Sequence, residues 1–216
     1  MNQRNFQKEL DKILDNMVKR GEQGQKLLLH SCCAPCSSYC LEYLSQYFAI
    51  TVFYYNPNIT LEPEYRHRVE EQKRLIAALN GAGVSFPISV IEGDYEPALF
   101  LDAVKGLEKE PEGGARCEKC FRLRLAKTAE VAKQEGVDYF TTTLTISPLK
   151  NAPLLNAIGE EMACGAGVKW LPTDFKKKNG YKRSVELSAQ YDLYRQDYCG
   201  CAFSKAEVMA RTGQES

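Results

Sequence analysis

Net charge is missing from this chain. Its 28 Lys and Arg residues balance 28 Asp and Glu residues, so no global field draws it to a polyanion, and a nucleic-acid partner has to be met by a local patch. Long apolar runs are missing as well. No stretch approaches the ~18 residues that a membrane span requires, and the opening Met1-Asn2-Gln3-Arg4-Asn5-Phe6 lacks the apolar centre of a secretion signal. Both absences predict a cytoplasmic protein with no membrane partner. Repeats and low-complexity linkers are absent too, and 216 residues suit one α/β domain with an appended segment.

What the chain has in excess is cysteine: Cys32, Cys33, Cys36, Cys40, Cys117, Cys120, Cys164, Cys199 and Cys201. In a reducing compartment, clustered thiols point to metal ligation or redox chemistry rather than to structural disulfides. Leu27, Leu28 and Leu29 read as a short buried strand that runs straight into Cys32, Cys33 and Cys36, with Pro35 forbidding its continuation. In doubly wound folds ligands sit at the carboxyl ends of strands, so these thiols are placed for a cofactor rather than for packing.

Around that strand, helical and extended patterns alternate. Phe6, Leu10, Ile13 and Met17 predict a helix over 4–20, ended by Gly21 and Gly24. A helix over 37–47 follows the thiols, with Ser37 or Ser38 near its cap. A second strand, rich in β-branched and aromatic residues, covers 49–55. Glu62-Pro63-Glu64 opens a helix whose inward stripe is Tyr65, Val69, Gln72, Ile76 and Leu79. A third strand over 85–92 carries Pro87 and is therefore an edge strand. Helices over 96–106 and from Cys117 to about Glu135, with Gly136 as C-cap, precede a fourth strand over 137–143. A helix over 153–164 and a strand over 168–171 complete the alternation. The pattern predicts a doubly wound, all-parallel sheet of about five strands in the order 3-2-1-4-5, with a C-terminal helical and loop extension. Cys40 and Cys164, inside helices, are expected in the core. The last third carries Lys176, Lys177, Lys178, Lys182 and Arg183 in one loop, read either as a phosphate-facing patch or as an ordinary solvated lysine run, and then a helix with Val185, Leu187, Tyr191 and Tyr194.

Cys32 with Cys33, Cys117-x-x-Cys120 and Cys199-x-Cys201 are pairs that only a fold can gather. Four thiolates satisfy either zinc or an iron–sulfur cluster, but the adjacent Cys32-Cys33 pair has the wrong bite for a zinc ribbon, so iron–sulfur is favoured. Cys199 and Cys201, separated by one glycine, read as a tight redox-active pair.

The motifs HSCCAPCS (30–37), YYNPNI (54–59), EPEYRHR (62–68), GARCEKCFRLRL (114–125), FTTTLTISPLK (140–150), GYKRS (180–184) and LYRQDYCGCAFS (193–204), in this order, resemble the cobalamin-independent epoxyqueuosine reductases of bacterial tRNA modification. The resemblance covers residues 27 to about 204. It implies a sheet similar to that of the adenine-nucleotide α-hydrolase and PP-loop folds, and a [4Fe-4S] cluster. It also implies the last step of queuosine biosynthesis, the two-electron reduction of epoxyqueuosine to queuosine at the tRNA wobble position. Carried over by position, Cys32, Cys33, Cys117 and Cys120 are the cluster ligands and Cys199 and Cys201 the redox-active pair. Some members use a carboxylate near the cluster and leave room for an additional iron, so Cys36 stands open as a ligand of either centre. The partners implied are tRNA carrying epoxyqueuosine and an electron donor that the sequence does not identify. Residues 1–25 are then an N-terminal helix, 26–172 the α/β cluster-binding core, and 173–216 a basic loop and helical segment that completes the site.

The chemistry fits these residue types. Opening an epoxide and losing its oxygen as water takes two electrons, two protons and a group that polarises the oxygen; the proton donor is left open among Tyr, Asp and Glu residues of the loops. The competing reading is a zinc-stabilised, PP-loop-like RNA-binding or tRNA-thiolation protein. That reading wants an SGGxDS-type pyrophosphate loop after the first strand, where this chain has His30-Ser31-Cys32-Cys33-Ala34-Pro35.

Overall fold

The three leucines of the first strand explain the architecture. Leu27, Leu28 and Leu29 are all fully buried, which requires protein on both faces of the strand, the condition of a parallel sheet. In the computed structural model, which describes residues 4–213, strand β1 (Gln25–Ser31) lies at the centre of such a sheet. Its neighbours are β2 (Phe48–Tyr54) and β4 (Tyr139–Thr142), with β3 (Ser89–Glu92) and β5 (Lys169–Trp170) at the edges. All pairings are parallel, and the order β3-β2-β1-β4-β5 is the one expected. Register sets Leu28 opposite Thr51 on one side and Phe140 on the other.

Alternation along the strands splits the core in two. Leu27, Leu29, Ile50 and Val52 face helices α1 (Phe6–Arg20), α2 (Ala34–Leu44) and α3 (Glu62–Gly81) through Leu10, Leu14, Leu41, Leu44, Leu75 and Ile76. Leu28, Phe53 and Phe140 face α5 (Ala115–Gln134) and α6 (Ala152–Ala166) through Leu125, Ala129, Leu155 and Ile158. Each fully buried leucine contributes about 1.5–3 kcal/mol relative to exposure, so both layers hold the sheet.

Several boundaries differ from the sequence reading for local reasons. Helix α2 starts at Ala34, three residues before the expected cap, because Cys33 is the extended N-cap residue and Pro35 sits in the first turn, where its missing N–H costs nothing. Ser37 instead lies inside the helix and donates its hydroxyl to the Cys33 carbonyl at 2.8 Å. Strand β3 begins only at Ser89, past Pro87, and is an edge strand as expected. Helix α4 (Pro97–Ala103) is shorter than 96–106. Glu135 caps α5, and Gly136 follows in the left-handed region at φ 58°. Cys40 is fully buried, but Cys164 is exposed, a correction to the core assignment. In α7 (Gly180–Gln190) the inward stripe is Ser184, Leu187 and Ser188; Val185 points to solvent and Tyr194 lies beyond the helix. Helix α8 (Ala202–Thr212) closes the described chain.

Candidate active site

β1 delivers its thiols at the carboxyl end of the sheet. His30 Nδ1 lies 2.8 Å from Thr142 Oγ1, tying β1 to β4 just below the site. Burial, then the neighbouring Arg124 charge, pushes the imidazole down to about 3, so it is neutral. Past it, the Cys32 N–H donates to Thr143 Oγ1 at 3.3 Å, and Asn56 Nδ2 donates to the Ser31 carbonyl at 2.9 Å. Cys33 then caps α2 and Cys36 occupies its first turn. The Cys32 and Cys33 sulfurs are 3.8 Å apart, and all three sulfurs lie within 4.8 Å of one another. Among the described residues this is the one group of three or more His, Cys, Asp or Glu with that spacing. Thiol hydrogen bonds from Cys33 and Cys36 hold Cys32 well below its ordinary range, and the same bonds push Cys33 up to about 12 and Cys36 well above its usual value. One thiolate is thus shared by two thiols.

Helix α5 supplies the next pair from its first two turns. Cys117 Sγ accepts from the Gly113 N–H at 3.2 Å. Burial raises both thiols, Cys120 to about 11. One turn on, the buried Arg124 reaches back with Nη1 3.9 Å from Cys120 Sγ and Nε 3.3 Å from His30 Nε2, and its Nη2 donates to Asn56 Oδ1. A single guanidinium therefore links α5, β1 and the loop after β2.

The C-terminal pair sits at the start of α8. The sulfurs of Cys199 and Cys201 are 3.5 Å apart, and the Ser204 N–H donates to Cys201 Sγ at 3.3 Å. Gly200 between them has φ 110°, and a Cβ there would press on Ile59, so only glycine serves. The Cys199 carbonyl accepts from Asn58 Nδ2 at 3.2 Å and Arg68 Nη1 at 3.4 Å, and the Thr60 N–H donates to the Gly200 carbonyl at 3.4 Å. The Cys201 hydrogen bond brings Cys199 down to about 6 against its burial, with help from the Lys150 ammonium, while Cys201 is pushed up.

These groups line two adjoining hollows. Cys117, Cys120, Cys199 and Cys201 line one; Cys32, Cys33, Cys36 and Cys199 line the other. Cys199, Arg124, Lys150 and Glu112 belong to both, so Cys199 stands on the shared wall. Burial opposes the Lys150 charge, but the facing thiolates of Cys199 and Cys32 outweigh it and raise its pKa.

The fold thus brings Cys32, Cys33, Cys36, Cys117, Cys120, Cys199 and Cys201 to one end of the sheet. Cys117 and Cys120 fall outside the tight group of three sulfurs, which includes Cys36. Sequence reasoning passed over Arg124 and Lys150, the cations that offset the thiolates, and Arg68, which pairs with Glu64 at 2.6 Å and donates to the Cys199 carbonyl; the available signal was Arg124 at four residues from Cys120 on a helix. Three of the five cations of the basic loop are ion-paired, Lys176 with Asp174 at 2.7 Å, Lys178 with Asp11 at 2.7 Å and Arg183 with Glu42 at 2.6 Å, and among the described residues Lys177 and Lys182 make no ion pair. A donor set made of sulfur alone, buried beside three cations, fits a soft-metal or iron–sulfur group.

A five-stranded parallel sheet with thiols, rather than a glycine-rich pyrophosphate loop, at the end of its first strand defines a thiol-centred protein of PP-loop-like architecture. Within that class the chain belongs to the family described as epoxyqueuosine reductase QueH, whose model matches residues 27–207. An epoxyqueuosine reductase QueH of Staphylococcus epidermidis is 46% identical over 93% of this chain and 84% of its own length. The Streptococcus pyogenes protein of that name is 45% identical over 90% of this chain and 77% of its own. The Thermotoga maritima one is 36% identical over 84% and 91%. No helix among the described residues is long and apolar enough to cross a membrane.

Proposed function

We propose that this protein is an epoxyqueuosine reductase that works in the cytoplasm. It takes a tRNA carrying epoxyqueuosine at the wobble position, opens the epoxide, releases its oxygen as water and leaves queuosine. The observation that carries this reading is the meeting of seven thiols with Arg68, Arg124 and Lys150 in two joined hollows, in a chain of this family. A tRNA-thiolation protein would need a pyrophosphate loop where His30, Ser31, Cys32 and Cys33 stand.

In this reading Cys32, Cys33, Cys117 and Cys120 hold a [4Fe-4S] cluster, and Cys36 ligates either it or an additional iron. When bound, such a group supplies single electrons and, at an iron with an exchangeable position, polarisation of oxygen. The chain's own residues account for the balance of the reaction. Cys199 as a thiolate and Cys201 as a thiol together give up two electrons and one proton as they close to a disulfide, and with a second proton from solvent the epoxide and this pair yield alkene, water and disulfide. A reductant from solution, the electron donor, reopens that disulfide by thiol–disulfide exchange or electron transfer. Lys150 and Arg124 keep the thiolates charged inside a buried site, where an unpaired charge would be costly.

The test is anaerobic purification followed by iron and sulfide analysis and by digestion of treated tRNA. The expected protein is coloured, contains iron and acid-labile sulfide, and forms queuosine. A colourless zinc protein that leaves epoxyqueuosine intact ends this reading.

A further inference from the structure

A third hollow adjoins the thiol site and has a different chemistry. The starts of helices α1 and α6, each of 15 residues, line it together. Arg4 bridges the first turns of α1 to the middle of α6, with Nη2 2.7 Å from Glu9 and 2.8 Å from Glu160. The segment 174–177 closes the third side. The polar lining is Arg4, Asn5, Lys150, Asn151, Lys176 and Lys177, with Asp174 the only carboxylate. Asn5 and Asn151 are the N-caps of the two helices, and their side-chain oxygens accept from the Lys8 and Leu154 N–H groups, each at 3.0 Å. Their amide NH2 groups are not used by those caps. Two helix N-termini, with their positive ends, therefore converge on one hollow that also holds four cationic side chains.

The cations are unequally committed. Arg4 is neutralised by its two glutamates. Lys176 lies 2.7 Å from Asp174, yet its buried Nζ makes no hydrogen bond of sound geometry. Lys177 is exposed at the rim, and among the described residues neither Lys177 nor Lys150 makes an ion pair. Lys150 lines this hollow and both thiol hollows, and Asn151 lines this one and the first. An anion held here is thus next to whatever is being reduced.

We propose that this hollow binds a phosphodiester of the RNA strand that carries the nucleoside being reduced. The inference rests on the reductase reading above. The occupant is an RNA phosphate rather than a free anion because the exposed Lys177 lines the hollow and Lys150 and Asn151 are shared with the reaction site beside it, so neighbouring parts of one covalent strand can reach both.

The test uses the holoprotein and an anticodon stem-loop RNA carrying epoxyqueuosine, with affinity measured by fluorescence anisotropy over a series of salt concentrations. Lys177→Glu should weaken binding about tenfold or more and lower the slope of log Kd against log salt by ~0.7 for each phosphate no longer neutralised. Lys177→Arg should bind as the wild type does, and so should Lys12→Glu, a charge reversal at an exposed site on α1. In turnover the loss should be read in KM. Since Lys177 is exposed, misfolding is not expected, and iron content with far-UV circular dichroism checks it; the double variant Lys176→Gln/Lys177→Gln, which adds no charge of opposite sign, gives a second reading. Wild-type affinity and slope in both variants overturn the proposal, as does inorganic phosphate that binds the wild type without competing with RNA. Absence of RNA binding by the wild type overturns it too. RNA that binds with the expected pattern but is never reduced instead sinks the reductase reading and leaves the phosphate site standing.

Discussion

At Cys199 two effects oppose each other: burial disfavours the thiolate, while the Cys201 hydrogen bond and the Lys150 charge favour it, and the second set wins, bringing the group to about 6. Because this is below the ordinary thiol value of about 8.5, the thiolate contributes stability that is present above the unfolded value and is lost as pH falls through about 6. The iron-free, reduced protein should be alkylated by iodoacetamide at Cys199 with a rate profile centred near pH 6, and Lys150→Met should move that midpoint upward. A profile centred at the free-thiol value means that Cys199 is not activated. The pairs also divide by role. Cys199→Ser with Cys201→Ser should keep most of the iron and sulfide while abolishing repeated turnover, whereas Cys117→Ser with Cys120→Ser should lose the metal itself. Equal loss of metal in the two double variants makes the C-terminal cysteines ligands as well. Of these residues, the thiols were legible because cysteine is rare and clusters only for chemistry. Arg124 and Lys150 were not, because a buried cation looks like a surface one until its partner comes from another element, and the i+3 step that puts Cys36 beside Cys33 depends on α2 starting at Ala34.

Among the elements, α6 and β5 meet where α6 has no side chain at Gly159. A Cβ there would enter the ring of Trp170, which packs edge-on against Phe140 and donates Nε1–H to Asn156 Oδ1 at 3.0 Å. Gly159→Ala should therefore cost about 1–3 kcal/mol by overpacking, read as a lower denaturant midpoint with red-shifted emission from the only tryptophan in the chain. Unchanged stability and emission would show that the indole moves aside freely. Strands and the long helices α3 and α5 were readable because each carries a strong periodic stripe; all five residues named for α3 are buried. The helix α7 was legible but its inward face was not, because beside Leu187 that face is made of Ser184 and Ser188, whose hydroxyls donate back to the Tyr181 and Ser184 carbonyls at 2.7 and 2.6 Å. An inward face of that kind leaves no apolar period to find.

For the whole molecule, the sheet and its two large cores do not depend on the site, but the outer shell does. Phe100, Val104, Cys120 and Cys201 form a small separate cluster with Leu123, Cys199 and Phe203 around them. The buried Arg116 is the other fastening: it donates to the Glu108 carbonyl at 3.0 Å and, through Nη2, to Glu207 of α8 at 2.9 Å. If metal is held between these thiols, its oxidative removal should leave far-UV circular dichroism nearly intact. Trypsin should then cut faster after the exposed Lys105 and Lys109, in the segment that joins α4 to α5. Equal cleavage rates with and without metal would mean that the apolar cluster and Arg116 suffice. The strand order was legible at this scale, since right-handed crossovers leave few alternatives for five alternating units; the attachment of the C-terminal segment was not, because it runs through a handful of side chains from distant parts of the chain.

The turn at Gly200 bears on how electrons can arrive. Its two carbonyls, those of Cys199 and Gly200, are gripped by Asn58, Arg68 and Thr60, so the dithiol cannot swing outward as a carrier arm that picks up reducing equivalents in solvent and ferries them back. It is a fixed terminal, and the traffic must come to it: the reductant has to dock on the protein, and at low reductant concentration turnover should follow the frequency of those encounters rather than any motion of the loop.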